Sequence, residues 1–317
     1  MMQVLRTCII PSDPELNILT VLADPILPVA SICALGYFMG RTGKTSADEA
    51  RTINRLAMTL FLPAMLLNLL GNAPIHEFDV ASVLLYVGVQ SVVFSAGFFL
   101  ARRVFHRGPA ESVLLAFCGI FANNAFYVLP ISVLLYGEGH VLPVTTIITL
   151  DATVTFSGAM IALQLIKLGR VDPIAIATTF LRTPVLPAIA LGIVLSLARI
   201  DIPQPVQTFL DFNGTAAAPA ALFALGVIMS QTAFRLDGAI LTFTLVKLLL
   251  FPAIIYLCLN AFGLMEGDGQ LFLLSSAGPA GTMAFSMALL HGVRTDALVM
   301  VMVTTSVLTL FTLAALA

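Results

Sequence analysis

The stretch Phe121-Ala122-Asn123-Asn124-Ala125-Phe126-Tyr127-Val128-Leu129-Pro130 decides how this chain folds. It lies inside an apolar run, residues 112–136, that is long enough to cross a bilayer. Asn competes with a helix for backbone hydrogen bonds, and Pro removes one of them. Within hydrocarbon, a broken helix is tolerated where protein or a wet cavity satisfies the freed groups. The stretch therefore predicts a discontinuous helix at a binding site, the alternative being a kinked helix whose Asn side chains bond its neighbours.

The composition identifies a polytopic membrane protein. Of the 317 residues, 59% are hydrophobic and 10% are charged, whereas about a quarter are charged in a soluble domain. No basic run with interleaved aromatic residues indicates nucleic-acid binding. The four cysteines are scattered, which favours buried apolar roles over a metal site. The first 17 residues lack a long apolar segment, so we expect no cleavable signal peptide.

Hydropathy predicts ten membrane spans joined by short loops. We expect an all-α protein, embedded in the lipid bilayer of the cell (inner) membrane. The spans are residues 18–40, 53–70, 80–101, 112–136, 141–166, 175–198, 207–231, 239–261, 270–290 and 296–316.

Lys and Arg predict the orientation of these spans. Eleven of the 15 basic residues flank the odd-numbered loops, and only Arg6 and Arg199 flank the opposite side. Because basic residues collect in cytoplasmic loops, the odd-numbered loops are predicted to be cytoplasmic. Both termini are then expected on the extracytoplasmic side.

The two halves of the chain share short motifs. Pro63-Ala-Met-Leu-Leu matches Pro219-Ala-Ala-Leu-Phe, and Leu134-Leu-Tyr-Gly matches Leu289-Leu-His-Gly at a nearly equal distance further on. Each half holds five spans, an odd number, so the halves must insert in opposite orientations. The sequence thus predicts two inverted five-helix repeats, residues 18–166 and 175–317. In this alignment Asn124 faces Pro279, which makes the fourth and ninth spans the two broken helices.

These motifs carry a family resemblance. Ile53-Asn54-Arg55, followed by Leu62-Pro63-Ala64, is similar to the second-span signature of the auxin efflux carrier family. Asn123 with Pro130 resembles that family's fourth span, and Pro279, Ala288 and the position of His291 resemble its ninth. Val128, His291 and the second Asn at 124 depart from the usual pattern.

The resemblance implies a particular fold and activity. Such proteins share the ten-helix fold of bile-acid symporters and sodium/proton antiporters, in which the broken helices 4 and 9 cross. By analogy, helices 1, 2, 6 and 7 form a scaffold, and helices 3–5 and 8–10 form the transport unit. Bacterial relatives are often malate or malonate permeases, and plant relatives export auxin.

Five residues at the two predicted breaks are candidates for substrate binding. Asn123 and Asn124 can each donate and accept hydrogen bonds, although one of them could serve only to cap the broken helix. Gly281 permits close backbone approach, and the Thr282 hydroxyl can bond a ligand. Close packing of two helices would explain the same small residues beside Pro279.

Two charges lie inside the predicted membrane region. Asp151 in the fifth span and Lys247 in the eighth are candidates for an ion pair that couples transport to a cation, because intramembrane charges are costly. The alternatives are a structural hydrogen bond for Asp151 and snorkelling to an interface for Lys247. His291 is a candidate proton relay, and a helix-end capping residue is its alternative.

The combined prediction is a secondary transporter of a small organic anion, a dicarboxylate or an auxin-like carboxylate. The substrate would bind where helices 4 and 9 cross, with alternating access to the two sides. Alternatives are a cation/proton exchanger that uses Asp151 and Lys247, and a membrane sensor that binds ligand without moving it. No enzyme motif is present, and no cofactor is expected beyond a coupling ion, H⁺ or Na⁺. A homodimer is left open.

Overall fold

A computed structural model describes residues 18–129, 131–132, 137, 142–169, 184–231, 237–266 and 268–316. Within these residues all regular secondary structure is helical, apart from a single β-bridge between Ala122 and Ala280. The all-α prediction is therefore confirmed. Pro130 and residues 134–136 of the motif shared by the two halves lie outside the described residues.

Within the described residues, the helices follow the predicted order of spans, with one helix, whole or broken, in the described part of each. We number them α1 to α10 and mark the parts of a broken helix a and b. Their bounds are α1 Ile18–Arg41, α2 Ala47–Gly71, α3 Val80–Arg103, α4a Pro109–Ile120, α4b Asn124–Val128, α5 Leu142–Leu168, α6 Val185–Ala198, α7 Gln204–Gln231, α8 Gly238–Ala261, α9a Gly269–Ala277, α9b Met283–His291 and α10 Asp296–Leu316.

Five of these helices are long and apolar enough to cross a membrane, judged by length and composition over the described residues. They are α2, α3, α5, α7 and α8. α4a, α6 and residues 296–309 of α10 are apolar but shorter. The chain is thus a multi-pass membrane protein. The ten-span count and the inverted repeat remain predictions.

Small residues bring α1 and α7 into close contact. A Cβ added at Gly36 would lie 2.2 Å from the Phe223 carbonyl oxygen, and one at Gly226 would lie 2.0 Å from the Cys33 carbonyl oxygen. Only glycine allows two helix backbones to approach this closely. The most extensive helix contacts join α1 with α7 and α2 with α6 and α7. α3 packs instead on α4a and α8, and α8 packs on α10.

Arg107 connects helices from the two halves of the chain. Its guanidinium forms ion pairs with Glu111 of α4a, at 3.1 Å, and with Asp237 at the start of α8. The Asp237 carboxylate also accepts the Ile240 N–H at 2.9 Å and so caps α8. The loop after α3 and the loop before α8 therefore lie at the same end of the molecule.

Candidate functional site

The breaks in the fourth and ninth helices meet and pair through their backbones. The Asn123 N–H donates to the Pro279 carbonyl oxygen at 2.9 Å, and the Gly281 N–H donates to the Phe121 carbonyl oxygen at 3.0 Å. The Ala280 N–H donates to the Thr305 hydroxyl of α10 at 3.1 Å. These bonds satisfy main-chain groups that the broken helices leave free, as a membrane interior requires.

The backbone bonds give a different alignment of the two halves from the one predicted. The two donors are residues 123 and 281 and the two acceptors are residues 121 and 279, so residues in equivalent roles are separated by 158 positions. In a symmetric antiparallel pair, Asn124 therefore corresponds to Thr282, and the alignment of Asn124 with Pro279 is wrong by three residues. The motifs at 63/219 and 137/292 lie away from the breaks in the sequence. A few residues inserted between a motif and a break shift the alignment at the break and leave the apolar pattern unchanged.

Gly281 is required where the two breaks touch. A Cβ at this position would lie 2.5 Å from Cδ1 of Phe121 and 3.2 Å from the Ala122 carbonyl oxygen. The Phe121 ring is itself stacked on Phe117, with centroids 4.4 Å apart. The ring therefore has little room to move aside. Gly281 allows the two broken segments of the backbone to approach each other closely, which is one of the two explanations that the sequence left open.

We expect Gly281→Ala to lower the melting temperature of the purified protein and to weaken ligand binding, because the added methyl group separates the paired breaks. Overpacking of this kind costs about 1–3 kcal/mol. Gly88→Ala in α3 is the matched control, since a Cβ there meets nothing within 4 Å. Equal melting temperatures for the two variants would show that the breaks tolerate separation.

Asp151 is buried beside the paired breaks and is held by two amide groups. Its side chain is 2% exposed. Oδ1 accepts from Nε2 of Gln90 at 2.7 Å, and Oδ2 accepts from Nδ2 of Asn124 at 3.0 Å. The Thr155 hydroxyl donates to Oε1 of Gln90 at 3.0 Å. Asp151 thus links α3, α4b and α5, and it begins a π-helical turn, a feature frequent at functional sites.

Lys247 lies at the carboxyl ends of both first half-helices. Its side chain is completely buried. Nζ donates to the Ser276 carbonyl oxygen of α9a at 2.9 Å and lies 3.5 Å from the Ile120 carbonyl oxygen of α4a. It also lies 5.1 Å from the centroid of the Phe251 ring. A positive charge at two helix carboxyl ends complements both dipoles, so Lys247 fills the place that a bound cation would take.

The structure corrects the predicted ion pair. No nitrogen–oxygen contact within 4 Å joins Lys247 to Asp151, both of which are described. Each charge has its own set of polar partners, although the two still attract each other. Snorkelling of Lys247 is also wrong, because its ammonium group is enclosed by protein.

Two cavities meet at the paired breaks. The first cavity, of about 50 Å³, lies between α2, α5, α4b and the start of α9b. The second cavity, of about 380 Å³, lies between α1, α7, α10 and the breaks. Asn123 and Thr282 line both cavities. Asn124 and Asp151 line only the first, and Pro279 lines only the second.

The first cavity has the lining of a small-molecule site. Its walls are mostly apolar, with polar groups at few points, a pattern typical of ligand pockets. Met283, the first residue of α9b, lines it, and none of the described side chains caps this helix start. The first N–H groups of a helix have no partner within the helix, so they are available to a ligand.

His291 lies away from this site. It is the last residue of α9b, which is capped by the left-handed Gly292, and it lines neither cavity. Its Nε2 is buried, and no described group bonds to it. The helix-end alternative fits this position better than the proton relay, which stays a prediction.

Sequence reasoning missed two buried polar residues. Gln90 is 3% exposed, and its hydrogen bond orients Asp151. The sequence feature that could have identified it is a long polar side chain in the middle of the apolar third span. Asn54 is 1% exposed, and its Oδ1 accepts from the Ser286 hydroxyl of α9b at 2.8 Å. The sequence singles out Asn54 only as part of the motif Ile53-Asn54-Arg55. The bond joins α2 to α9b.

Buried charges, paired helix breaks and cavities that share lining residues are the features of a transporter. The chain belongs to the membrane transport protein family, that of the auxin efflux carriers, whose model matches residues 21–172 and 173–317. It is therefore a membrane transporter and not an enzyme in the catalytic sense.

Particular relatives are known from bacteria. The chain is 26% identical over 275 residues to a Rhizobium meliloti (strain 1021) protein named "Putative malonate transporter", covering 84% of this chain and 86% of that one. It is 25% identical over 268 residues to the uncharacterized transporter YfdV of Escherichia coli (strain K12), covering 82% and 85%. The YfdV protein of Shigella flexneri matches equally.

Proposed function

We propose that this protein is a secondary transporter of a small dicarboxylate of the malonate class. The observation that carries the proposal is the arrangement of charge at the paired breaks. Lys247 neutralises the carboxyl ends of α4a and α9a, whereas the amino end of α9b faces the first cavity without a capping side chain. The remaining helix dipole therefore favours an anion. The name of the Rhizobium relative supports malonate as the first candidate.

The proposed movement is alternating access between two units. α1, α2, α6 and α7 pack mainly on one another and form the scaffold, while α3–α5 and α8–α10 form the transport unit. Arg107 joins the loop after α3 to α8 and holds the transport unit together at one end. Asn123 and Thr282 line both cavities, so a substrate held by them could be reached from either cavity. The inverted repeat supplies the two equivalent halves that such a movement needs.

Transport is proposed to be independent of Na⁺. A sodium ion at this site would need the carbonyl oxygens of the half-helix carboxyl ends, and Lys247 already bonds to them. This argument also disfavours a cation exchanger built on Asp151 and Lys247. The protein is proposed to lie in the cell inner membrane, with both termini on the extracytoplasmic side and a small organic anion as its ligand.

A ligand screen tests this function. We expect malonate-type dicarboxylates to raise the melting temperature of the purified protein, equally with and without Na⁺. Because the chain contains no Trp, melting is followed with a thiol-reactive dye that reports exposure of the buried Cys118. Stabilisation by monovalent cations and by no organic anion would favour the exchanger instead.

We expect Asn123→Ala to weaken malonate binding without lowering the melting temperature of the free protein. The Asn123 side chain lines both cavities, and its backbone pairing does not depend on the side chain. Loss of one ligand hydrogen bond costs about 0.5–1.5 kcal/mol, which is roughly a twofold to thirteenfold loss of affinity. Asn72→Ala, at the end of α2 and outside both cavities, is the control. An unchanged affinity in a folded Asn123→Ala protein would exclude the direct contact.

A further inference from the structure

The Asn124 side chain has a buried oxygen that lacks a partner. Its Oδ1 is enclosed by protein, and none of the described groups bonds to it, while the whole residue is 3% exposed. Asn124 lines the first cavity. A buried acceptor without a donor costs free energy, so its presence in a cavity wall points to a ligand that supplies the donor.

Asp151 fixes which end of the Asn124 amide is free. An ionised carboxylate can only accept hydrogen bonds, so the nitrogen of the amide must point towards it. The 3.0 Å bond from Nδ2 of Asn124 to Oδ2 of Asp151 has this direction. The second bond, from Gln90, also brings a nitrogen to Asp151. Asn124 therefore presents its oxygen, and not its nitrogen, to a ligand.

The first cavity consequently has two chemically different sides. Asp151 and the Asn124 oxygen form an acceptor side, which repels a carboxylate and needs a donor. Thr282 and Met283 at the start of α9b form a donor side, where N–H groups and the helix dipole favour a carboxylate. A dianion matches only one of these sides. A molecule with one ionised and one protonated carboxyl group matches both.

We propose that the transported form is the singly protonated dicarboxylate, the hydrogen malonate type of monoanion. Its carboxylate binds at the start of α9b, and its carboxyl O–H donates to Oδ1 of Asn124. The proton then crosses the membrane on the substrate, and no side chain has to carry it. This inference rests on the proposed function and specifies the ionic form that the site selects.

Other titratable groups around Asp151 have to be separated from this effect. Within the described part of the chain, the group whose charge acts on Asp151 is Lys247 of α8. The charge of Asp151 acts in turn on Tyr86 of α3, and Cys118 of α4a interacts with Lys247. A ligand that carries a permanent donor separates the two cases, because its own protonation does not change with pH.

Three probes of nearly equal size test the proposal on the unmodified protein. They are malonate, its monoamide, which keeps one carboxylate and replaces the protonated carboxyl by an amide N–H donor, and its monomethyl ester, which has no donor. We expect the monoamide to bind equally well at mildly acidic and mildly alkaline pH. Malonate affinity should fall about tenfold per pH unit once the second carboxyl group ionises. The ester should bind at least roughly tenfold more weakly than the monoamide, because it leaves the Asn124 oxygen without a hydrogen-bond donor.

Asp151→Asn provides the matched variant. An Asn at this position can donate as well as accept, so the Asn124 amide is free to turn and present its nitrogen. The preference for the monoamide over the ester should then disappear while binding persists. Equal binding of ester and monoamide by the unmodified protein would overturn the inference and leave the proposed function standing. Failure of all three probes to bind at any pH would overturn both.

Discussion

Replacing Lys247 by Met is expected to destabilise the folded protein more than any other single change considered. Met matches the length of the Lys stem but removes the ammonium group that bonds to Ser276 and lies beside Ile120. The carboxyl ends of α4a and α9a then lose their shared cation, and the negative charge of Asp151 is no longer compensated. Removing one charge of a buried, mutually dependent set costs roughly 3–5 kcal/mol.

Melting followed by thiol exposure at Cys118 measures this loss. Lys44→Met is the control, because Lys44 is exposed in the loop before α2. We expect Lys247→Met to unfold at a much lower temperature than the control, or to be recovered only in small amounts. A Lys247→Met protein as stable as the control would show that the half-helix ends do not need the cation.

Asp151→Ala is expected to have the second largest effect. It removes the acceptor of both Gln90 and Asn124 and leaves Lys247 as an uncompensated buried charge. Each stranded amide donor costs about 1–3 kcal/mol. Asp201→Ala, at an exposed position before α7, is the control.

The double variant Asp151→Ala with Lys247→Met tests how strongly the two charges depend on each other. Because they attract without touching, the double variant should be less destabilised than the sum of the two single variants, by about 0.5–3 kcal/mol. Strict additivity would mean that each charge is held only by its own hydrogen bonds. A difference larger than this would indicate that the two groups come into contact in another state of the transporter.

The sequence predicted the types of residue at the site better than their partners. Asp151, Lys247, Asn123 and Asn124 stood out because a polar side chain in an apolar span has few explanations. Their partners depend on which helices pack side by side, and composition does not contain that information. The sequence therefore predicts that Asp151 pairs with Lys247, whereas Asp151 bonds to Gln90 and Asn124.

The sequence also could not predict which residues of the two breaks face each other. Pro279, Gly281 and the paired Asn residues indicated two interruptions, and both are present at the predicted segments. Which residues face each other is decided by two backbone hydrogen bonds, to which every amino acid contributes similarly. Short apolar motifs fix such an alignment only to within a few positions. The close packing at Gly281, in contrast, follows from a residue type that the sequence shows directly.

Counterflow of labelled malonate in proteoliposomes tests whether the paired breaks hold a transported dicarboxylate. Vesicles containing the unmodified protein and excess unlabelled malonate should accumulate labelled malonate, with or without Na⁺. Vesicles with Gly88→Ala should do the same, and vesicles with Asn123→Ala should accumulate the label more slowly at low external concentration. Equal accumulation by the unmodified protein and Asn123→Ala, or none by the unmodified protein although malonate binds to it, would contradict the account.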